Sequence, residues 1–121
     1  MSNRENSIVL KKSFDFGVKI IQLHEQLAQR NHFVIGKQLL RSGTSIGANI
    51  NEALGGYSRK DFIHKLTISL KEAQESEYWI KLIHAAGITQ NIDYNTYLKD
   101  VVELQKILTA IIKTSRKNEF N

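Results

Sequence analysis

The sequence predicts an all-α fold, an up-down-up-down antiparallel four-helix bundle formed by one domain over residues 1–121. Three observations lead to this prediction. Apolar residues recur every three or four positions in four successive segments, which is the period of an amphipathic helix. The breaks between these segments are short, and short connections place consecutive helices antiparallel and side by side. The chain also contains no proline, so this residue interrupts none of the four segments.

The first predicted helix, about residues 8–30, carries two apolar stripes instead of one. One stripe contains Leu10, Phe14, Gly17, Ile21, His24 and Ala28, and the other contains Phe16, Ile20, Leu23 and Leu27. At about 100° per residue, the two stripes lie roughly 110° apart around the helix. A single stripe is enough for a simple bundle. Two stripes therefore predict an additional packing surface.

The second predicted helix, about residues 33–54, contains Gly43 and Gly47 inside its apolar pattern. Each mid-helix glycine costs about 1 kcal/mol relative to alanine, so a compensating interaction is expected. Because the two glycines are spaced i, i+4, they share one side of the helix and predict close approach of another helix. A phosphate-binding loop is excluded because the segment lacks the GxxxxGK[ST] spacing and follows no strand. The helix is expected to end at Gly55 and Gly56 in the left-handed backbone conformation.

The third predicted helix, about residues 58–86, has start and stop signals at both ends. Ser58 is a typical N-cap, Asp61 stands in the capping-box position three residues later, and Gly87 follows the last apolar position. The fourth helix, about residues 93–116, has the most regular pattern, with apolar residues at alternating spacings of three and four. Its last residues are expected to fray.

Composition excludes several classes of protein. The chain has no cysteine, which excludes disulfides and thiolate metal sites and fits a reducing compartment. No apolar run approaches the roughly 18 residues that suggest a membrane span. The first residues also lack the apolar core and the cleavage site of a secretory signal. We therefore expect a cytoplasmic protein that is not associated with a membrane.

Two segments carry a family resemblance. The run RSGTSIGANI at residues 41–50, together with Glu75, Tyr78 and Trp79 in an E-x-x-Y-W arrangement, resembles the 23S rRNA-intervening-sequence protein family. The resemblance covers nearly the whole chain and implies a small bacterial four-helix bundle. It also implies a homopentamer whose bundles surround a central channel. The family is similar in fold to the accessory protein of diversity-generating retroelements, which binds nucleic acid and a reverse transcriptase.

Enzymatic chemistry is not predicted. His24 and Glu25 begin like a zinc-protease motif, but Ala28 occupies the position of the second histidine ligand. Asp61 and His64 have the i, i+3 spacing of half a di-iron site, yet the chain lacks the two Glu-x-x-His motifs that such a site needs. Ser42 and Ser45 lie in the middle of a predicted helix without a histidine within a few residues, so spacing predicts no activated serine. We expect no enzyme activity, no catalytic residue, no cofactor and no metal ion.

Three glutamates of the third helix, Glu72, Glu75 and Glu77, lie on different faces of that helix. Glu77 falls close to the main apolar stripe, so we expect it to be partly buried. Its expected partner is Arg41 or Asn49, across the bundle. A structural polar contact is favoured over a functional carboxylate.

An apolar face of the third helix predicts oligomerisation. Ile68, Trp79 and Leu82 lie away from the main stripe and would stay partly exposed in an isolated bundle. Together with the additional stripe of the first helix, they indicate a surface that other subunits cover. An error in the helical phase is the alternative explanation. Gly43 and Gly47 join these three residues as expected helix-packing or oligomer contacts.

Positive charge is concentrated at one end of the predicted bundle, although the net charge is only +5. The topology brings together residues 1–13, 54–65 and 112–121, which contain nine bases and three acids and so carry a net charge of +6. The rest of the chain contains eight bases and nine acids, a net charge of −1. We call this surface the basic end. Its expected nucleic-acid contacts are Lys11, Lys12, Arg59, Lys60, Lys65, Lys113, Arg116 and Lys117.

Two bases of this set stand where helix stability does not explain them. Arg59 and Lys60 occupy the first turn of the third helix, where the helix dipole disfavours cations and where a phosphate would bind well. Few exposed aromatic residues are expected among the bases, so binding should depend on the backbone more than on base sequence. The alternative is that these bases only keep the helix ends hydrated.

The leading hypothesis is a non-enzymatic, oligomeric four-helix-bundle protein. It would bind RNA or DNA through the basic end, alone or with a protein partner. The alternative is a protein–protein scaffold or adaptor without a nucleic-acid role. Salt-dependent binding of nucleic acid distinguishes the two, because phosphate contacts weaken steeply as salt rises.

Overall fold

The computed structural model describes residues 3–119, which form four helices and, within that range, no strand. Their bounds are α1 Asn3–Gln29, α2 Phe33–Leu54, α3 Arg59–Ala86 and α4 Tyr94–Glu119. Each helix packs along the next one, and α4 returns to α1. The predicted up-down-up-down bundle is confirmed. No helix in the described range is both long and apolar enough to cross a membrane.

Two predicted helix bounds were too narrow. The first helix begins at Asn3 instead of residue 8, and the fourth continues to Glu119 instead of fraying after residue 116. Both extensions are polar, so hydrophobic periodicity gave no signal for them. Their charges suit the helix dipole, since Glu5 lies in the first turn of α1 and basic residues lie in the last turn of α4.

The left-handed ending predicted for the second helix is wrong. Gly55 has a φ of −93°, an ordinary right-handed value. The helix ends instead in a tight turn, where the Gly55 and Gly56 N–H groups donate to the carbonyls of Glu52 and Ala53, each at 3.2 Å. A Cβ at Gly56 would lie 3.2 Å from the Ala53 carbonyl oxygen and would require the Asp61 carboxylate to move, so glycine fits this turn most easily.

Both ends of the third helix follow the prediction. The Ser58 hydroxyl accepts a hydrogen bond from the Asp61 N–H at 3.0 Å, so Ser58 is the N-cap. At the other end, Gly87 adopts a left-handed conformation with a φ of +65°. A side chain is strained at such a φ, which explains why the helix ends at glycine.

The core selects one of the two apolar stripes of α1. Phe16, Ile20, Leu23 and Leu27 are fully buried. From the other stripe, Phe14 remains 69% exposed and Ile21 remains 53% exposed. The additional apolar surface predicted from the sequence is therefore present on α1.

Small residues allow α2 to lie close to both of its neighbours. A Cβ on Gly43 would stand 2.8 Å from the Cγ2 atom of Ile20, and a Cβ on Gly47 would stand 3.3 Å from the Ser13 hydroxyl. On the opposite side, the Ser76 hydroxyl donates to the Ser42 hydroxyl at 2.9 Å between α3 and α2. Close packing between the helices thus compensates for the low helix propensity of the glycines.

The end of the bundle opposite the basic end is held by contacts between the α1–α2 turn and the segment between α3 and α4. At the end opposite the basic end, Arg30 donates to the Gln90 carbonyl at 3.1 Å, and a His32 ring nitrogen lies 3.2 Å from the Ile88 carbonyl. Along the bundle, α1 and α4 form the loosest seam. Ion pairs across that seam join Lys12 to Glu103 at 2.6 Å and Lys19 to Asp100 at 2.7 Å.

Replacing Gly43 tests the close packing of α2 against α1. Gly43→Ala should lower the free energy of unfolding by about 1–2 kcal/mol, because the β-branched Ile20 has no room to move. Gly17→Ala is the matched control, since a Cβ at Gly17 meets no atom within 4 Å. That substitution should raise stability by about 0.5–1 kcal/mol through helix propensity. Urea unfolding followed by circular dichroism measures both, and equal stabilisation by the two would contradict the close contact.

Candidate nucleic-acid interface

The basic end is assembled from three parts of the chain. Residues 6–10 of α1 and residues 53–62 around the α2–α3 turn line a common pocket of about 510 Å³. The end of α4 lies beside α3, where Lys113 and Arg116 line a groove with Leu70. Two of the three segments expected at this end therefore share a pocket, and the third runs beside α3 at Leu70, just beyond the second segment.

Three of the eight predicted cations are bound to acids. Lys11 pairs with Asp15 at 2.9 Å, and Lys12 pairs with Glu103 at 2.6 Å. The hydrogen bond and the charge of Glu103 raise the pKa of Lys12 above its ordinary value. A long contact of 3.9 Å links Lys65 to Glu52. These pairs are largely exposed and therefore weak, but they reduce the charge offered to a ligand.

The other five predicted cations are exposed and lack such partners. Among residues 4–118, whose side chains the structure describes, none of the five forms an ion pair. They are Arg59, Lys60, Lys113, Arg116 and Lys117. Because Arg59 and Lys60 lie in the first turn of α3, the helix dipole does not stabilise them there. Their charges are available to an anion.

Tyr57 is a residue of the basic end that sequence reasoning missed. It lies in the turn before α3 and is fully exposed, and it lines the same pocket as Arg59. The expectation of few exposed aromatic residues among the bases is therefore corrected at this position. Helical periodicity carries no information about a turn residue, so only its proximity to Arg59 in sequence was available as a signal.

A second surface lies between α1 and α2. Phe14, Val18 and Ile21 stand beside the small residues Gly17 and Gly47, and together they border an open apolar groove of about 890 Å³. We call it the α1 groove. Its charged rim residues, Lys11 and Asp15, pair with each other, so the groove carries no excess charge.

The residues predicted as oligomer contacts lie in different environments. Gly43 is buried, and both Gly43 and Gly47 face α1 within the subunit. Ile68 and Trp79 are half-buried, and Leu82 is 41% exposed. Contacts of these residues with another subunit stay a prediction. The larger exposed apolar surface is on α1.

A polar cluster joins α2 to α3. The Arg41 guanidinium donates to Glu72 at 3.3 Å and also to Glu75. The Glu75 carboxylate accepts a second hydrogen bond from the Trp79 indole N–H at 3.0 Å. Residues that are more than 30 positions apart in sequence are thus fixed to one another on a single surface.

The partner predicted for Glu77 is wrong. Its carboxylate binds Lys81 at 2.6 Å and accepts a hydrogen bond from Gln105 of α4 at 2.7 Å. Arg41 instead binds the glutamates that face α2. The side of α3 that Glu77 occupies faces α4, which the apolar pattern alone does not distinguish from the side that faces α2.

No metal centre is found in the described part of the chain. There, no three His, Cys, Asp or Glu side chains are close enough together to hold a metal ion. Asp61 takes part in the α3 cap described above.

The comparisons with known proteins agree with this architecture. A model of the family described as 23S rRNA-intervening sequence protein matches residues 5–110. The chain belongs to this family. The resemblance noted in the sequence is therefore confirmed, and two of its motif residues, Arg41 and Glu75, belong to the polar cluster between α2 and α3.

A solved structure supports the same assignment. It is the crystal structure of a protein of unknown function from the S23 ribosomal protein family of Bacteroides thetaiotaomicron. The two sequences are 45% identical, and the match covers 90% of this chain and 98% of that one, with a TM-score of 0.86. Comparison with curated proteins gives no match. Because the function of the solved protein is unknown, the similarity transfers a fold and a family but no activity.

Replacing Glu77 tests the α3–α4 contact, because the stability that this carboxylate contributes depends on pH. The bonds from Lys81 and Gln105 hold the pKa of its carboxyl below the ordinary glutamate value. A lowered pKa contributes stability above the unfolded pKa, and that stability is lost as pH falls through the folded pKa. Glu77→Gln should therefore cost on the order of 1 kcal/mol of unfolding free energy at neutral pH and nothing in strong acid.

Urea unfolding at a series of pH values measures this difference. Glu25→Gln is the control, because the exposed Glu25 makes no hydrogen bond or ion pair among the described side chains. A cost for Glu77→Gln that persisted unchanged into strong acid would show that the charge of Glu77 is not the cause.

Proposed function

We propose that this chain is a non-enzymatic, oligomeric four-helix-bundle protein that binds the phosphate backbone of RNA or DNA through its basic end. One observation supports this most directly: five exposed cations gather there without an acidic partner among the described side chains. A cytoplasmic location, as the composition predicts, would give such a surface access to nucleic acid.

Electrostatics favour an anion at this surface over simple hydration. Arg59 and Lys60 lie at the positive end of the α3 dipole, where each costs a few tenths of a kcal/mol. A bound phosphate reverses this cost, because it interacts favourably with the cations and with the helix terminus. Five bases of one subunit would neutralise about five phosphates and give a steep salt dependence.

Assembly is the second part of the proposal, with another copy of this chain as the occupant of the α1 groove. Phe14 and Ile21 are 69% and 53% exposed, so a partner that buried the rest of each side chain would contribute roughly 1–2 kcal/mol per residue. The groove places bulky side chains beside glycines, a shape that an identical copy can match. Because its rim charges pair internally, two copies would not repel each other there.

Assembly would also strengthen binding. Subunits related by a single rotation axis present equivalent surfaces in the same orientation. The basic ends of such an assembly would lie on one side and engage one nucleic acid together. Linked sites raise the overall affinity without any new kind of contact.

Removing the two cations of the α3 first turn tests nucleic-acid binding. Arg59→Ala/Lys60→Ala should reduce the slope of log affinity against log salt by about 1.8 and weaken binding at least tenfold near 50 mM salt. Fluorescence anisotropy with labelled RNA and DNA measures both quantities. The control is Lys37→Ala/Lys71→Ala, which removes two exposed lysines that lie outside the basic end and form no ion pair among the described side chains.

The outcomes of this titration separate the two functional hypotheses. Wild-type protein that fails to bind nucleic acid at low salt would exclude the proposal and favour a protein–protein scaffold. Equal losses in the basic-end variant and in the control would show that only total charge matters.

Polar substitutions in the α1 groove test assembly. Phe14→Ser/Ile21→Ser should reduce the particle to single subunits, as measured by light scattering, while the helical circular dichroism is retained, since both side chains are exposed in the isolated bundle. Leu82→Ser is the control on the face of α3 predicted from the sequence. Dissociation by Leu82→Ser alone would place the interface on α3, and a wild-type monomer would exclude assembly.

A further inference from the structure

The outer face of α4 carries four lysines in a line. Lys99, Lys106, Lys113 and Lys117 are all exposed, and at about 100° per residue they fall within roughly 40° of one another. They extend along about 27 Å of the helix, at a rise of about 1.5 Å per residue. We call this surface the α4 lysine stripe. It begins at the basic end with Lys117 and runs up the side of the bundle.

Two acids of α4, Asp100 and Glu103, bind lysines of α1 instead of lysines of the stripe. By spacing, Glu103 is placed to pair with Lys99 or Lys106 on the same helix. Instead its carboxylate binds Lys12 of α1 at 2.6 Å, and Asp100 binds Lys19 of α1 at 2.7 Å. The pKa of Glu103 is lowered first of all by the hydrogen bond from Lys12.

The stripe keeps a positive charge that Glu103 offsets only in part, because the charges of Lys99 and Lys106 also lower the pKa of Glu103 but less than its bond to Lys12 does. Among the side chains that the structure describes, none of its four lysines forms an ion pair. The helix dipole favours Lys117, which lies in the last turn of α4, but it does not account for Lys99, Lys106 and Lys113, which lie before that turn. A row of unpaired cations fits a partner that carries a row of anions.

The chemistry of the stripe indicates which polyanion it fits. Lysine is a flexible point charge that binds phosphate without reading bases. The apolar residues between the lysines, Val102 and Ala110, are small, so the stripe offers no aromatic ring for a base to stack on. Proteins that bind single strands combine cations with such rings. A straight row of about 27 Å instead matches a stiff duplex over about eight base pairs, at about 3.4 Å per base pair.

We propose that the α4 lysine stripe binds the phosphate backbone of double-stranded nucleic acid laid along α4. The inference rests on the proposed function. It specifies double-stranded nucleic acid as the ligand and α4 as the helix along which that ligand lies. The duplex would continue from the basic end, where Lys113 and Lys117 belong to both surfaces, towards Lys99 at the far part of the helix. The site would thus follow the side of the bundle and not only its end.

The two lysines farthest from the basic end provide the test. Lys99→Ala/Lys106→Ala should reduce the salt slope for a duplex of about 20 base pairs by about 1.8 and weaken binding at least tenfold near 50 mM salt. Alanine preserves the helix, and circular dichroism checks this. Lys37→Ala/Lys71→Ala serves as the matched control, since both lysines are exposed and form no ion pair among the described side chains, and it should leave the slope unchanged.

Each alternative result of these titrations excludes a particular part of the two proposals. If Arg59→Ala/Lys60→Ala weakens binding but Lys99→Ala/Lys106→Ala does not, the stripe is excluded and binding at the basic end stands. Tighter binding of a single strand than of the duplex would overturn the duplex assignment and direct attention to the exposed Tyr57. Absence of any binding by the wild-type protein at low salt would overturn both proposals.

Discussion

The close contact between α1 and α2 determines which side chains this bundle exposes. Gly43 leaves no space for a Cβ above Ile20, and a Cβ on Gly47 would lie 3.3 Å from the Ser13 hydroxyl. With the helices this near, Ile20 and its stripe point into the core, so Phe14 and Ile21 must point outwards. The α1 groove follows from the same contact, because its floor includes Gly47. The glycines that favour folding within the subunit thereby create the apolar surface proposed for assembly.

Charge is sorted by the same packing. Acids concentrate in the seams between helices, where Glu103 binds a lysine of α1, Glu75 binds Arg41 of α2 and Glu77 meets Gln105 of α4. Among the described side chains, the largest groups of cations without an ion pair lie at the basic end and on the outer face of α4. The net charge is only +5, but the cations without partners produce a strong local positive potential. The strength of this potential depends on where the acids lie more than on the number of bases.

Most of the fold was predictable, because helical periodicity and the Ser58 cap are local signals. Which stripe of α1 enters the core was not, since that depends on the fit of α1 against the glycines of α2. The partner of Glu77 and the exposure of Tyr57 escaped prediction for related reasons: the first depends on which neighbour a helix face meets, and the second lies in a turn without periodicity. The cations of the basic end were predicted as a set, but only the structure separates paired Lys12 from the unpaired ones.

Family membership and the solved relative establish the architecture, so function must be tested on the surfaces of this chain. Sedimentation velocity of the full chain mixed with a duplex, followed by protein and nucleic-acid absorbance, tests the central claim that packing creates separate apolar and cationic surfaces. The account predicts a multi-subunit particle that carries the duplex near 50 mM salt. Well above 200 mM salt the particle should release the duplex while its subunits stay together, because salt screens phosphate contacts and strengthens apolar ones. A single subunit at both salt concentrations, or a particle that loses its subunits together with its duplex, would contradict it.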